Sequence, residues 1–80
     1  MPPDNKLFDQ LKYIIKIDKF GNKFFYNTAQ LLHREDGPAI EYTNGTKCWY
    51  RNGLCHREDG PAVEYPDGSC NWYLDGVPLH

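Results

Sequence analysis

The chain has 80 residues, with nine lysines or arginines against eleven aspartates or glutamates, which gives a net charge of −2. A chain of this length forms one small domain that buries only about 60 to 65% of its unfolded surface. No basic stripe is present along which a phosphate backbone could run, which argues against direct binding of duplex nucleic acid.

The N-terminal segment, residues 1–16, is predicted to form a helix or arm followed by the first strand. Asp4 is a suitable helix cap, and the residues after it place three apolar side chains on one stripe, Leu7, Phe8 and Leu11. Residues 13–17 are rich in β-branched side chains and are expected to pair with residues 23–26. The start of the chain, MPPDNK, lacks the apolar core of a signal peptide, and no apolar run approaches the roughly 18 residues that span a bilayer. We therefore expect a cytoplasmic protein with no membrane partner.

One 23-residue unit is written twice, at residues 31–53 and 54–76, with the block HREDGPA intact in both. A fixed short period indicates units that bury their apolar sides against their neighbours. Residues 17–30 form a degenerate half-copy and residues 77–80 a truncated one. The spacing to the histidine varies by one residue between connections, so one of them is expected to contain a bulge or a longer turn.

Each unit is predicted to be a β-hairpin, closed by Thr43-Asn44-Gly45 in the first and by Pro66-Asp67-Gly68 in the second. Pro66 and Gly68 favour a three-residue loop with a bulge, whereas the first copy could instead form a two-residue Asn-Gly turn. A shift of one residue would exchange the two faces of the sheet. The favoured three-residue loop places both tryptophans on the face opposite Ile40. The predicted fold is all-β, an antiparallel meander of about six strands with a short N-terminal helix or arm.

Aromatic residues fall on both faces of this sheet, because neighbouring strand residues point in opposite directions. A ladder is expected either to be covered as core or to serve as protein-binding anchors, and it consists of Phe25, Trp49 and Trp72 or of Tyr26, Tyr50 and Tyr73. The cover could be the N-terminal helix or a second subunit. The same ladder could stack single-stranded nucleic acid, but Lys47 and Arg51 are replaced in the next unit by uncharged residues, so the cationic part does not recur.

The HREDGP blocks combine histidine, arginine and carboxylates, a composition compatible with a metal or acid-base site. Because the block recurs in each unit, we interpret it as a structural joint between hairpins. The aspartate is expected to cap the turn, the arginine to pair with a carboxylate of the adjacent unit, and the histidine to bond a backbone carbonyl. The glycine is expected to supply a positive φ before proline. The residues assigned to these joints are His33, Arg34, Asp36, Gly37, Pro38, His56, Arg57, Asp59, Gly60 and Pro61.

No catalytic, cofactor-binding or metal-binding residue is assigned. The three cysteines, Cys48, Cys55 and Cys70, are odd in number and form no Cys-x-x-Cys pair. We expect reduced thiols that fill small apolar spaces.

The run WYRNGLCHREDGPAVEYPDGSCNWYLDG resembles the MORN repeat, and more narrowly a MORN-like variant that occurs in tandem in phage and large-virus proteins. The resemblance implies an elongated β-meander used as a protein-binding or assembly surface, without catalysis in the repeats. Residues 57–61 replace the short glycine pair of the usual motif. For this reason, and because the chain is acidic, lipid binding is not carried over.

The resemblance and the small acidic domain lead to a hypothesis of function. We expect a non-enzymatic protein-binding module, a phage-encoded inhibitor that acts in the host cytoplasm on a defence protein such as a CRISPR effector. The aromatic ladder and acidic side chains would contact the target, the acids being Glu35, Asp36, Glu41, Glu58, Asp59 and Glu64. The alternative is a self-associating repeat scaffold, for example a homodimer. A metal-dependent enzyme and a single-strand nucleic-acid binder are further alternatives.

Overall fold

The computed structural model describes residues 13–79, in which short antiparallel strands alternate with tight turns. The nine strands are β1 (Ile14–Ile17), β2 (Lys23–Tyr26), β3 (Ile40–Glu41), β4 (Lys47–Cys48), β5 (Tyr50–Arg51), β6 (Leu54–Cys55), β7 (Val63–Glu64), β8 (Cys70–Leu74) and β9 (Val77–Leu79). Seven of them form one sheet in the order β1-β2-β3-β4-β7-β8-β9, and β5 and β6 form a separate hairpin. The predicted all-β antiparallel meander is confirmed. The predicted N-terminal helix lies outside the described residues, and residues 13–79 contain no helix.

The first hairpin joins β1 to β2, so the predicted pairing of these two segments is confirmed, with Ile14 opposite Tyr26. Its turn is organised by Asp18, whose carboxylate accepts hydrogen bonds from the Asn22 side chain at 2.9 Å and from the Phe20 backbone N–H at 2.9 Å. The bond from the Asn22 amide is the main cause of a lowered pKa of Asp18. The ionised Asp18 carboxylate therefore stabilises the turn at pH values above the ordinary carboxylate pKa. This stabilisation is lost as the pH falls through the lowered pKa of Asp18.

Both repeat units close with the favoured three-residue loop. Tyr42 donates its backbone N–H to Thr46 at 2.9 Å, and Tyr65 donates to Ser69 at 2.9 Å. The last loop residue is left-handed in each case, Gly45 at φ 97° and Gly68 at φ 91°. Glycine adopts this conformation without the steric cost that a side chain would add.

This register fixes which residues share a face. Ile40 lies opposite Cys48, and Cys48 lies opposite Val63, so these three form one row across the sheet. We call this side the tyrosine face, because strand alternation places five tyrosines on it, Tyr26, Tyr42, Tyr50, Tyr65 and Tyr73. The other side, which we call the arginine face, carries Phe25, Trp49 and Trp72 together with Arg34 and Arg57.

Trp49 divides the long strand of the first unit into β4 and β5. Its backbone N–H donates to Ala62 at 2.7 Å, whereas its carbonyl accepts from His56 at 3.0 Å. Phe25 does the same one unit earlier, with Ala39 and His33 as partners at 2.8 and 2.9 Å. The backbone at each of these aromatic residues is therefore hydrogen-bonded to two different segments, and these bonds link successive units.

The connections between units differ in length, as predicted. Asn52-Gly53 and Asp75-Gly76 are two-residue turns with positive φ at both positions. The earlier connection is longer, since Asn27 donates its N–H to Leu31 at 2.9 Å around a loop in which Gln30 has φ 64°. Because the last turn is short, Leu79 lies opposite Trp72.

The core is thin. Among the described residues the buried apolar side chains are Phe25, Ala39, Ile40, Cys48 and Ala62, and only the two alanines have no exposed surface. Within residues 13–79 no second layer of strands lies beneath this sheet. What covers its large aromatic side chains then decides its stability.

Candidate functional site

Two arginine–aromatic stacks dominate the arginine face. The Cζ atom of Arg57 lies 3.9 Å from the centroid of the Trp49 ring, and that of Arg34 lies 4.0 Å from the centroid of Phe25. Each ring belongs to the unit before the arginine that covers it. A guanidinium at this distance combines cation–π attraction with flat stacking contact. The joint between units is therefore built from these stacks.

Each guanidinium is held in place by its own loop. Arg57 donates from Nε to Asp59 at 3.1 Å and from one terminal nitrogen to Glu64 and to the Pro61 carbonyl, both at 3.1 Å. The first unit repeats this set, with bonds from its arginine to Asp36 at 3.1 Å, Pro38 at 3.1 Å and Glu41 at 2.7 Å.

The prediction that the arginine pairs with a carboxylate of the adjacent unit is wrong. The adjacent unit contributes the ring, and the carboxylates come from the arginine's own loop and strand. The prediction that the aspartate caps the turn is also wrong as stated, because the bond found for Asp36 and for Asp59 comes from an arginine Nε.

The glycines of the two joints make room for the arginines and do not supply the predicted positive φ. Neither Gly37 nor Gly60 is among the glycines with positive φ, so that prediction is wrong. A Cβ at Gly60 would lie 2.9 Å from the Cζ of Arg57, and one at Gly37 would lie 3.1 Å from the Cζ of Arg34. A side chain at either position would push the guanidinium from its place, so glycine here leaves room for the stack.

The joint histidines fix the turn at the far end of their own unit. His33 accepts the Asn52 backbone N–H at Nδ1 over 3.0 Å, and His56 accepts the Asp75 N–H at Nδ1 over 2.9 Å. The predicted bond from histidine to a backbone carbonyl is therefore wrong, since the imidazole is the acceptor. Within residues 13–79 no three histidine, cysteine, aspartate or glutamate side chains are arranged to hold a metal ion.

Carboxylates form the outer rim of the arginine face. The side chains of Arg34 and Arg57 are 21% and 23% exposed, whereas those of their partners Asp36 and Asp59 are 72% and 87% exposed. The cations are turned inward onto the rings and the anions outward to solvent. Between the two loops lies an open groove of about 670 Å³, with Trp49 among its lining residues. We call it the acidic groove, after the four carboxylates that line it beside three arginines. The carboxylates are Glu35, Asp36, Glu58 and Asp59, and the arginines are Arg34, Arg51 and Arg57.

The remaining residues of the predicted contact surface lie in different settings. Phe25 is buried and Trp49 half-buried under their arginines, while Trp72 is exposed. Glu41 and Glu64 are bonded to the arginines. The sequence reasoning missed the stacks, although one signal for them was present, an arginine that recurs eight or nine residues after an aromatic.

The tyrosine face carries two shielded thiols. Cys48 is buried and Cys55 half-buried, and all three cysteines are free. Burial raises the pKa of Cys48, and burial together with the nearby Cys48 raises the pKa of Cys55 from 9.0 to about 11. The reactive thiolate is thereby suppressed on this face.

We expect Cys70, which is exposed, to be alkylated first when the folded protein meets iodoacetamide at pH 8. A rise of two pKa units leaves about 100-fold less thiolate at Cys55. Peptide mass spectrometry at timed intervals measures the order, and the same reaction in 6 M urea is the control, because unfolding should equalise the three rates. Labelling of Cys55 as fast as Cys70 in the folded protein would contradict the shielding.

Comparison with protein-family models, with curated proteins and with solved structures finds no match to this chain. No helix within residues 13–79 is long and apolar enough to cross a membrane.

Proposed function

We propose that the protein is a non-enzymatic binding module whose acidic groove docks on a basic surface of a protein target. The observation that carries this proposal is the outward rim of carboxylates around inward-turned arginines. Exposed carboxylates outnumber the one exposed arginine of the groove, Arg51. Such an excess of one charge attracts an oppositely charged surface over several ångströms and accelerates association.

The target class that fits this surface is a nucleic-acid-processing enzyme. Such enzymes line their substrate grooves with lysine and arginine, which neutralise phosphates. The two acid pairs, at residues 35–36 and 58–59, place four carboxylates where they would meet such cations. We further propose a phage inhibitor of a host defence enzyme, a CRISPR effector being the first to test. That choice rests on the resemblance of the repeated sequence to MORN-like repeats of phage proteins.

The test is a competition assay in which the purified chain displaces labelled nucleic acid from a panel of CRISPR effectors. We expect the affinity for the inhibited enzyme to fall at least 10-fold in the double variant Glu35→Gln/Glu58→Gln, and to fall on raising the salt from 0.05 to 0.5 M, as expected for charge-driven binding.

The matched control is Thr28→Lys/Phe20→Lys, which changes the net charge by the same amount at two exposed turns away from the groove. This variant should retain most of the affinity. An equal loss of affinity in both double variants would show that binding depends on net charge alone and not on the groove. No inhibition across the panel, or inhibition that does not change with salt, would overturn the proposal.

A self-associating scaffold is the second candidate, and the two end strands of the sheet favour it. Ile15 and Ile17 on β1 and Val77 and Leu79 on β9 are exposed apolar side chains. Association of such ends would hide them from water. Sedimentation velocity at micromolar to 100 micromolar concentration should then show a dimer or larger species, and a monomer throughout removes this candidate.

A further inference from the structure

We propose that the exposed ring of Trp72 is a binding site for an arginine side chain of the protein partner. The inference rests on the proposed function, because it takes the ligand to belong to a bound protein. It adds the chemical group that is recognised and the ring that receives it.

Trp72 holds the third place in the aromatic ladder. The first two places, Phe25 and Trp49, each have a guanidinium stacked at about 4 Å. Trp72 lies on the same face and is 44% exposed. Among residues 13–79 no cation is stacked on it. Residues 13–79 thus show twice which group this type of ring receives, and among them the third ring has no such partner.

The ligand is a guanidinium and not simply any cation. The two lysine contacts of the described chain are longer, with Nζ of Lys16 at 5.5 Å from the Tyr26 centroid and Nζ of Lys19 at 5.1 Å from the Phe20 centroid. Only the two arginines approach to 4.0 Å or less. A planar, weakly hydrated guanidinium can lie flat on an indole, whereas a compact ammonium keeps its water.

The neighbouring strand favours a side-chain ligand over an added β-strand. β9 is the edge strand next to Trp72, and its central residue is Pro78. Proline has no backbone N–H to offer a partner strand, and it is a common means of blocking a sheet edge. The partner would therefore approach the ring face. A basic target of the kind proposed above carries arginines that could do so.

The test uses indole N–H resonances of the intact chain, with a Trp72→Phe variant to assign them. The probe is a peptide with the sequence of residues 54–65, serine replacing the cysteine, which carries the arginine in its native loop. We expect it to shift the Trp72 resonance in a saturable way while Trp49 is unaffected. A peptide with glutamine in place of the arginine should bind about fivefold more weakly, the factor expected of an exposed cation–π contact.

Three results would overturn the proposal. They are no Trp72 shift up to 5 mM peptide, equal shifts by the arginine and glutamine peptides, and a Trp72 resonance that changes with protein concentration alone, which would make a second copy the occupant. If the chain inhibits no enzyme of the panel, the expected peptide result is the same, because peptide binding at Trp72 does not depend on the acidic groove. The Glu35→Gln/Glu58→Gln variant should accordingly bind the peptide as the parent chain does.

Discussion

Replacing Trp49 with alanine is expected to lower the free energy of unfolding by about 3 kcal/mol, the low end of the range for removal of a large buried aromatic, because the ring is half-buried. The indole lies beneath Arg57 and its backbone joins two units. Its removal leaves a cavity at this junction and a guanidinium without its stacking partner. Urea unfolding followed by circular dichroism measures the loss, and does not depend on the fluorescence of the deleted residue.

The repeat provides matched controls for this prediction. Trp72→Ala should cost about 1.5 kcal/mol, about half as much, because that residue is 44% exposed and less apolar area is lost from burial. Trp49→Phe should cost at most about 1.5 kcal/mol, since Phe25 holds Arg34 in the same way one unit earlier. If alanine at position 49 and alanine at position 72 destabilise equally, the stack is not what gives Trp49 its importance.

The parts of the fold that follow from local chemistry could be predicted from the sequence. Gly45 and Gly68 each occupy the left-handed last position of a three-residue loop, and Pro66 before Gly68 favours that loop in the second unit. Loop length then fixes the register, and the register fixes the faces. The sequence therefore favours the arrangement in which Ile40, Tyr42 and Cys48 lie on one side of the sheet.

The arginine stacks could not be predicted in the same way, because they join residues that local rules treat separately. The turn rules explain Gly60 by its backbone, yet its φ is ordinary and its role is to leave room for Arg57. Charge rules pair Arg57 with any nearby carboxylate, and say nothing about a ring in the unit before. The deciding geometry comes from the path of the chain between units, which a 23-residue period indicates only in outline.

The same stacks answer part of the question of how a single-layered sheet covers an aromatic face. The sequence pointed to an N-terminal helix or a second subunit as the cover. That helix lies outside the described residues, and within residues 13–79 the flat end of an arginine covers Phe25 and Trp49. Long charged side chains can cover apolar surface while their polar atoms remain hydrogen-bonded. A small sheet can in this way protect its rings without a second layer above them.

Replacing Arg57 with alanine is accordingly expected to lower the free energy of unfolding by about 2 kcal/mol, from the lost cation–π contact and the charged hydrogen bonds discounted for partial exposure. For a domain of this size the melting temperature should fall by about 8 to 16 °C. Arg57→Lys keeps the charge but not the planar fork, and should lose about half as much. The control is Arg51→Ala, because that exposed arginine lies 3.6 Å from Glu58 and should contribute less than about 0.5 kcal/mol.

A double-mutant cycle separates the ring from the carboxylates as the source of this stability. If Arg57 acts mainly through Trp49, its replacement in a Trp49→Ala background should cost less than about 1 kcal/mol, a coupling of about 1 kcal/mol between neighbours in contact. If it acts through Asp59 and Glu64, the cost should be the same in both backgrounds. An unchanged cost would show that Arg57 stabilises the joint through its carboxylate partners and not through the ring. A reduced cost would mean that ring and guanidinium together form the unit of packing, and that within residues 13–79 Trp72 supplies only the ring of such a unit.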